Sequence, residues 1–97
     1  MVLDENKVNI GSNVFLGPGV QLYTASHPLD AMTRRTHKIS KSITISDDCW
    51  IGGNSIILPG ITIGKGCVIG AGSVVTKNIP DNSVAVGNPA KVIKKLN

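Results

Sequence analysis

The sequence has few large rings, with one Phe, one Tyr and one Trp among its 97 residues, so a core built on aromatic side chains is not expected. It also lacks long apolar runs, which excludes a transmembrane helix. The first residues have neither the basic nor the apolar region of a signal peptide, and we therefore expect a cytoplasmic protein without a membrane partner. Charged residues are scarce too, at 16% against 41% apolar residues, and this balance excludes a disordered chain.

The net charge of +4 comes mainly from two basic clusters, one within residues 34–41 and the other within residues 77–95. The sequence contains no zinc-finger, helix-turn-helix or RNA-recognition pattern. We therefore expect no nucleic-acid partner. A small phosphorylated ligand fits such local clusters at least as well.

A strict period of six residues dominates the middle of the chain, and it matches neither the helical period of 3.6 nor the alternation of an ordinary strand. The first position of each hexad is filled by Ile45, Ile51, Ile57, Ile63, Ile69 and Val75. The companion position, four residues later, is filled by Cys49, Ser55, Ile61, Cys67, Ser73 and Ile79. The pattern predicts an all-β fold, a parallel β-helix of triangular section in which three hexads make one coil.

Coils of 18 residues stack like residues on like, at the strand spacing of about 4.8 Å. The columns that we expect are Ile43 with Ile61 and Ile79, Cys49 with Cys67, Ser55 with Ser73, Ile45 with Ile63, and Ile51 with Ile69. The two cysteines therefore face the core. We interpret them as buried filler, because a disulfide is not expected in the cytoplasm.

The hexads divide this single domain into segments. Residues 1–22 form the first coils and residues 39–80 the main coils, but the two blocks are out of phase, so residues 23–38 form a protruding loop. Residues 88–97 are predicted to form a short C-terminal helix that caps the coil, with Asn88 as N-cap and Pro89 in the first turn.

The loop motif Ser26-His27-Pro28, the hexads over residues 49–80 and the stretch VGNPAKVI at 86–93 resemble the hexapeptide-repeat acyltransferases, most nearly the maltose and galactoside O-acetyltransferases. The resemblance implies a left-handed β-helix, a homotrimer with active sites between subunits, and acetyl-CoA as co-substrate. It also implies direct transfer of acetyl to a hydroxyl of a sugar or similar small acceptor.

The same resemblance implies roles for individual residues. His27 corresponds to the general base, a role that histidine fits because its pKa lies near working pH. Trp50 lies beside the acetyl-donor tunnel, as a ligand wall or a subunit contact, and Asp4 lies near the sugar. The positions that correspond to coenzyme A contacts are Gly53, Ala71, Thr76, Lys77, Lys91 and Lys94.

Three alternatives accompany this interpretation. Family members are nearly twice as long, so the chain could instead be a non-catalytic trimeric β-helix module. The acceptor could be an amine or antibiotic rather than a sugar. A zinc site is the other natural use of histidines, but it needs three imidazoles, and with only His27 and His37 present we expect no metal.

Overall fold

The computed structural model describes residues 7–97; Asp4, the candidate on the sugar side, lies outside the described residues. The chain forms short strands, and α1 (Ala31–Arg34) is the only helix in the part described. The strands are β1 (Val8–Ile10), β2 (Phe15–Leu16), β3 (Gln21–Leu22), β4 (Ala25–Ser26), β5 (Ile39–Ser40), β6 (Ile43–Ile45), β7 (Trp50–Ile51), β8 (Ile56–Ile57), β9 (Thr62–Ile63), β10 (Val68–Ile69), β11 (Val74–Val75), β12 (Ser83–Gly87) and β13 (Ala90–Lys95). Across residues 7–97, no helix has the length and apolar character needed to cross a bilayer.

Three parallel sheets form the faces of a β-helix. The first face is β1-β6-β9, the second is β2-β7-β10-β12, and the third is β3-β8-β11. On all three faces the main coils pair at an offset of 18 residues, the spacing at which the hexads repeat.

The core is a column of aliphatic side chains with small companions. All six first-position side chains, from Ile45 to Val75, are at most 1% exposed. Ser55 and Cys49 are buried as well, and the Cys49 Sγ donates to the carbonyl oxygen of Gly64 at 3.0 Å. Large aliphatic residues at the first positions, with Cys or Ser at four of the six companion positions, fill a narrow triangular section without aromatic rings.

An insertion separates the first coil from the second. The first coil pairs with the next at an offset of 35 residues, as in Leu16 with Ile51, which leaves 17 residues beyond one 18-residue coil. These residues leave the β-helix after β3 and return before β6. The antiparallel pair β4–β5 and the helix α1, capped by the Asp30 side chain, give the excursion its own structure.

In the last coil, the predicted stacking of Ile79 on Ile61 is wrong. Ile79 bridges Ile63, 16 residues away, and not Ile61. The turn after Val75 is shorter than the other turns, because Ile79 follows four residues later where a full hexad would take six. The strict 18-residue repeat therefore ends at Val75, although Ile79 remains buried.

The predicted C-terminal helix is wrong. The chain reverses at Asn88-Pro89, and β13 runs back antiparallel to β12. A segment of this length is too short to be a stable helix by itself, and β12 offers a free row of backbone hydrogen-bonding groups at the end of its sheet. Residues 88–97 thus cap one face of the β-helix as a strand, with Val92 and Ile93 as residues that suit a strand.

Candidate functional site

The three edges of the β-helix, here called corners, carry the turns. Corner A follows the first face and includes residues 11–13, 46–48, 64–66 and 80–82. Corner B follows the second face and includes residues 17–19, 52–54 and 70–72. Corner C follows the third face and includes residues 23–24, 58–60 and 76–78.

Corner B holds two of the predicted donor-binding residues, Gly53 and Ala71, stacked on successive coils. The Gly72 N–H donates to the Gly53 carbonyl oxygen at 2.9 Å, which ties the two turns together. A Cβ on Gly52 would lie 2.5 Å from the Ala71 backbone nitrogen, so only glycine allows this close approach. The corner is a narrow ridge of backbone with no side chain longer than a methyl group at its two central positions.

The antiparallel hairpin of β12 and β13 brings Lys91 and Lys94 to the second face. Lys91 is opposite Val86 and Lys94 is opposite Val84, and residues directly opposite share one side of a sheet. Because Ser83 is buried and Val84 is half-buried, the two lysines lie on the outer side. Lys91 is at the corner B end of this face, two strands beyond β10, the strand that leads into the turn of Ala71.

Trp50 lies in an apolar row on the outer side of the same face. The row runs from Phe15 through Trp50 and Val68 to Val84, in register, and Lys94 continues it. The Trp50 side chain is 58% exposed and Phe15 71%. Phe15 was missed from the sequence, although it stands immediately before an inward residue, Leu16, as Trp50 stands before Ile51.

Corner C carries the other candidates. Thr76 and Lys77 are exposed in its last turn, and the loop with His27 leaves its first turn. His27 follows β4 directly and is exposed, and no hydrogen-bond partner of its ring is found within residues 7–97. At the base of the loop the Tyr23 hydroxyl donates to the Gln21 side-chain oxygen.

One chain does not gather these residues into a single cavity. His27, Thr76 and Lys77 belong to corner C, whereas Gly53 and Ala71 belong to corner B with the lysines of β13 beside it. A cavity of about 330 Å³ lies at corner A and contains none of them. Its lining is Asn9, Ile10, Gly11, Thr44, Ile45, Ser46, Asp47 and Lys65.

The two cysteines are structural in their surroundings. The Cys67 Sγ donates to the Pro80 carbonyl oxygen at 3.0 Å, in the same manner as Cys49 one coil earlier. Burial raises the pKa of the Cys49 thiol, and a backbone hydrogen bond at Cys67 opposes this rise only in part. A neutral, buried thiol is a poor nucleophile. No group of three metal-ligating side chains occurs in the described range 7–97.

Several known proteins are similar to this chain in fold and in sequence. Residues 42–77 match the family model of the bacterial transferase hexapeptide, six repeats. The chain is 45% identical to the galactoside O-acetyltransferase of Escherichia coli K12, over 99% of this chain and 48% of that protein. A hexapeptide-repeat acetyltransferase of Vibrio cholerae O1 biovar eltor, complexed with acetyl coenzyme A, gives a TM-score of 0.89 at 44% identity, over 93% of this chain and 50% of that chain.

A maltose O-acetyltransferase of Clostridium difficile 630 gives a TM-score of 0.73 at 40% identity, over 96% of this chain and 67% of that chain. The likeness to these hexapeptide-repeat proteins implies a left-handed β-helix, an exception to the usual right-handed crossover. The chain spans about half the length of the curated relatives that it matches.

Proposed function

The chain belongs to the hexapeptide-repeat acyltransferases, and we propose that it binds acetyl-CoA and transfers the acetyl group to a hydroxyl of a sugar or a similar small acceptor. The observation that carries this proposal is the bare ridge of corner B with two lysines beside it. A relative with the same fold is complexed with acetyl coenzyme A.

The donor fits the ridge by shape and charge. A thin pantetheine arm can approach the backbone closely at Gly53 and Ala71, because neither position carries a bulky side chain. Lys91 and Lys94 are exposed and supply positive charge for the phosphates, and Lys77 and Thr76 supply further donors at corner C. Lysine offers a point charge rather than the bidentate fork of arginine.

His27 acts as the general base. Its imidazole takes the proton of the acceptor hydroxyl while that oxygen attacks the thioester carbonyl carbon. The new C–O bond forms, the C–S bond breaks, and the proton passes from His27 to the departing thiolate. Transfer is direct, because the two thiols among residues 7–97 are buried and hydrogen-bonded to carbonyls.

The active form is a homotrimer with its sites between neighbouring chains. The candidates of one chain occupy two corners and one face, so a complete site requires groups from an adjacent copy. The exposed row of Trp50 and Phe15 supplies an apolar surface at the second face, where it serves as a ligand wall or as a subunit contact.

The test is calorimetric titration of acetyl-CoA, followed by turnover with a panel of galactosides, maltose and amino sugars. We expect saturable micromolar binding at one site per chain. His27→Ala should lower kcat about 10²–10⁴-fold and leave the donor Kd nearly unchanged. The matched control is His37→Ala, which should change neither quantity. His37 is exposed, and within residues 7–97 its imidazole bonds only the neighbouring Thr36.

Several outcomes contradict the proposal. A His27→Ala variant that loses donor affinity but keeps its turnover would remove His27 from the role of base. Transfer to amines alone would replace the hydroxyl acceptor. A chain that does not bind acetyl-CoA even at millimolar concentration would be a non-catalytic trimeric module.

A further inference from the structure

The outer side of the first face is polar, unlike the apolar row on the second face. Asn9, Thr44 and Thr62 lie in register on its three strands. They point outward, because Ile43 and Ile45 on either side of Thr44 are buried and successive residues of a strand face opposite sides. None of the predicted donor-binding residues lies on this face, so its polar row has no part in holding acetyl-CoA.

The cavity of about 330 Å³ lies where the first face meets corner A. Its lining comes from three successive coils, with residues 9–11, 44–47 and 65. It opens to the outside, because the turn residues Gly11, Asp47 and Lys65 in this lining are exposed. Its volume is within the range of about 300–1,000 Å³ that is usual for small-molecule sites, although the proposed transfer does not use it.

The lining offers both donors and acceptors of hydrogen bonds. The hydroxyls of Thr44 and Ser46 and the amide of Asn9 can do both, whereas the Asp47 carboxylate only accepts and the Lys65 ammonium only donates. The lining thus carries one charge of each sign, and a ligand with a net charge would be repelled by one of them. A ligand hydroxyl donates and accepts as well, so a neutral polyhydroxylated molecule can use every one of these groups.

The two charged residues are held by the turns that carry them. One oxygen of Asp47 accepts from the Ser12 N–H at 2.8 Å, and a Cβ on Gly11 would collide with that oxygen. The Lys65 N–H donates to the Asp81 carboxylate at 3.0 Å, whereas no partner of the Lys65 Nζ is found within residues 7–97. The second oxygen of Asp47 and the ammonium of Lys65 can therefore bind a ligand without breaking these contacts.

The first face connects this cavity to corner C, from which the loop with His27 leaves. Lys7 lies at the corner C end of β1 and Gly11 at the corner A end. The four residue steps between them cover about 13 Å, at about 3.3 Å per residue. A single sugar ring is too short to span this face, whereas a saccharide of several units can span it, with Asn9 and Thr44 along its path.

We propose that the corner A cavity is an accessory subsite for one unit of a neutral oligosaccharide, which crosses the first face and presents a hydroxyl of its far end to His27. The part that concerns His27 rests on the proposed function, whereas binding at the cavity requires no acetyl transfer. The inference names the acceptor class as an oligosaccharide of several units, and it names Thr44 and Lys65 as residues that determine this specificity.

Titration of maltotetraose into the isotope-labelled protein, followed by NMR, tests the subsite directly. The backbone amide resonances of Thr44, Ser46 and Lys65 should shift saturably. Lys65→Ala and Thr44→Val should each raise the maltotetraose Kd about three- to tenfold, because each removes a hydrogen bond to the ligand. The matched control Thr62→Val makes the same change one coil further along the row, outside the cavity lining, and should change the Kd by less than about twofold. Valine suits a strand, so both valine variants should fold.

Acceptor kinetics test the link between the cavity and acetyl transfer. Lys65→Ala should raise the KM for maltotetraose by the same factor as its Kd and leave kcat unchanged, because the subsite holds substrate and transition state equally. With methyl galactoside, which has a single ring, the same variant should change neither KM nor kcat. This split between long and short acceptors is not expected from a variant that merely loosens the fold.

The outcomes separate this inference from the proposed function. Amide resonances of Thr44 and Ser46 that do not move with maltotetraose, or a Thr62→Val variant as impaired as Thr44→Val, overturn the subsite, while acetyl transfer stands on its own assay. Binding at the cavity with an unchanged KM for maltotetraose in Lys65→Ala overturns the connection to His27. Binding at the cavity of a chain that transfers no acetyl group supports the subsite and overturns the proposed function.

Discussion

The first coil and the second coil carry the same hexad pattern but differ in burial. Ile10 pairs in register with Ile45, and Leu16 with Ile51. The second-coil residues are 0% exposed, whereas Ile10 is 46% exposed and Leu16 is 42% exposed. The hexad therefore fixes the direction in which a side chain points. Within residues 7–97 the first coil has a neighbouring coil on one side only, and Ile10 and Leu16 are partly exposed there.

The largest expected effect comes from truncating the Ile10–Ile45 pair. Ile45→Ala should lower the free energy of unfolding by about 2–5 kcal/mol, because it leaves a cavity that the neighbouring coils cannot fill. Ile10→Ala should cost about half as much, since a large part of its side chain is already in water. Urea unfolding followed by circular dichroism measures both.

If Ile45→Ala does not fold, the milder pair Ile45→Val and Ile10→Val preserves the comparison at about 0.5–1.5 kcal/mol for the buried site. Equal losses at the two positions would contradict the difference between the coils. They would indicate that the first coil is covered in solution.

The corner glycines are expected to behave alike in the two coils. A Cβ on Gly17 would lie 2.5 Å from the Gly53 nitrogen, and a Cβ on Gly52 would lie 2.5 Å from the Ala71 nitrogen. Each glycine faces the following coil, which both coils possess. Gly17→Ala and Gly52→Ala should therefore each cost about 1–3 kcal/mol, the usual range for forced overpacking.

Gly72→Asn is the matched control, because a Cβ there meets no atom within 4 Å and its φ of +73° is one that asparagine adopts. It should leave the unfolding midpoint almost unchanged. A Gly17→Ala variant as stable as the control would show that the first coil is loosely stacked, and would contradict the register described here.

The sequence predicts the repeating parts of this molecule well, because a hexad specifies direction, spacing and residue size together. The prediction fails where the direction, the spacing or the residue size departs from the hexad. The turn after Val75 is two residues short, so Ile79 meets Ile63 instead of Ile61. The periodic pattern by itself does not show at which residue the repeat ends. The segment after Pro89 has a helix-like start, but the free edge of β12 determines its structure.

The candidate site is less accessible to sequence reasoning. The stacking of Gly53 on Ala71 follows from their 18-residue spacing. The placement of Lys91 and Lys94 on the second face depends on the hairpin, which the sequence analysis replaced with a helix. Phe15 joins Trp50 only because an insertion of 17 residues leaves the register of the faces intact.

The smallest expected effect concerns the loop that joins the two coils, whose helix is stabilised by one carboxylate. Hydrogen bonds from the Thr33 N–H and hydroxyl lower the pKa of Asp30 below its ordinary value of 3.8. A carboxyl whose pKa is lowered in the folded state stabilises its structure at any pH above its ordinary pKa, and this contribution is lost as the pH falls through the folded pKa.

The Thr33 amide resonance should therefore shift on acidification with a midpoint below pH 3.8, while the Ile51 and Ile69 amides in the coils stay constant. Asp30→Asn should remove the Thr33 transition without changing the unfolding of the coils. A midpoint at or above 3.8 would contradict the cap, and a simultaneous shift of the Ile51 amide would mean that loop and coils respond to acid as one unit.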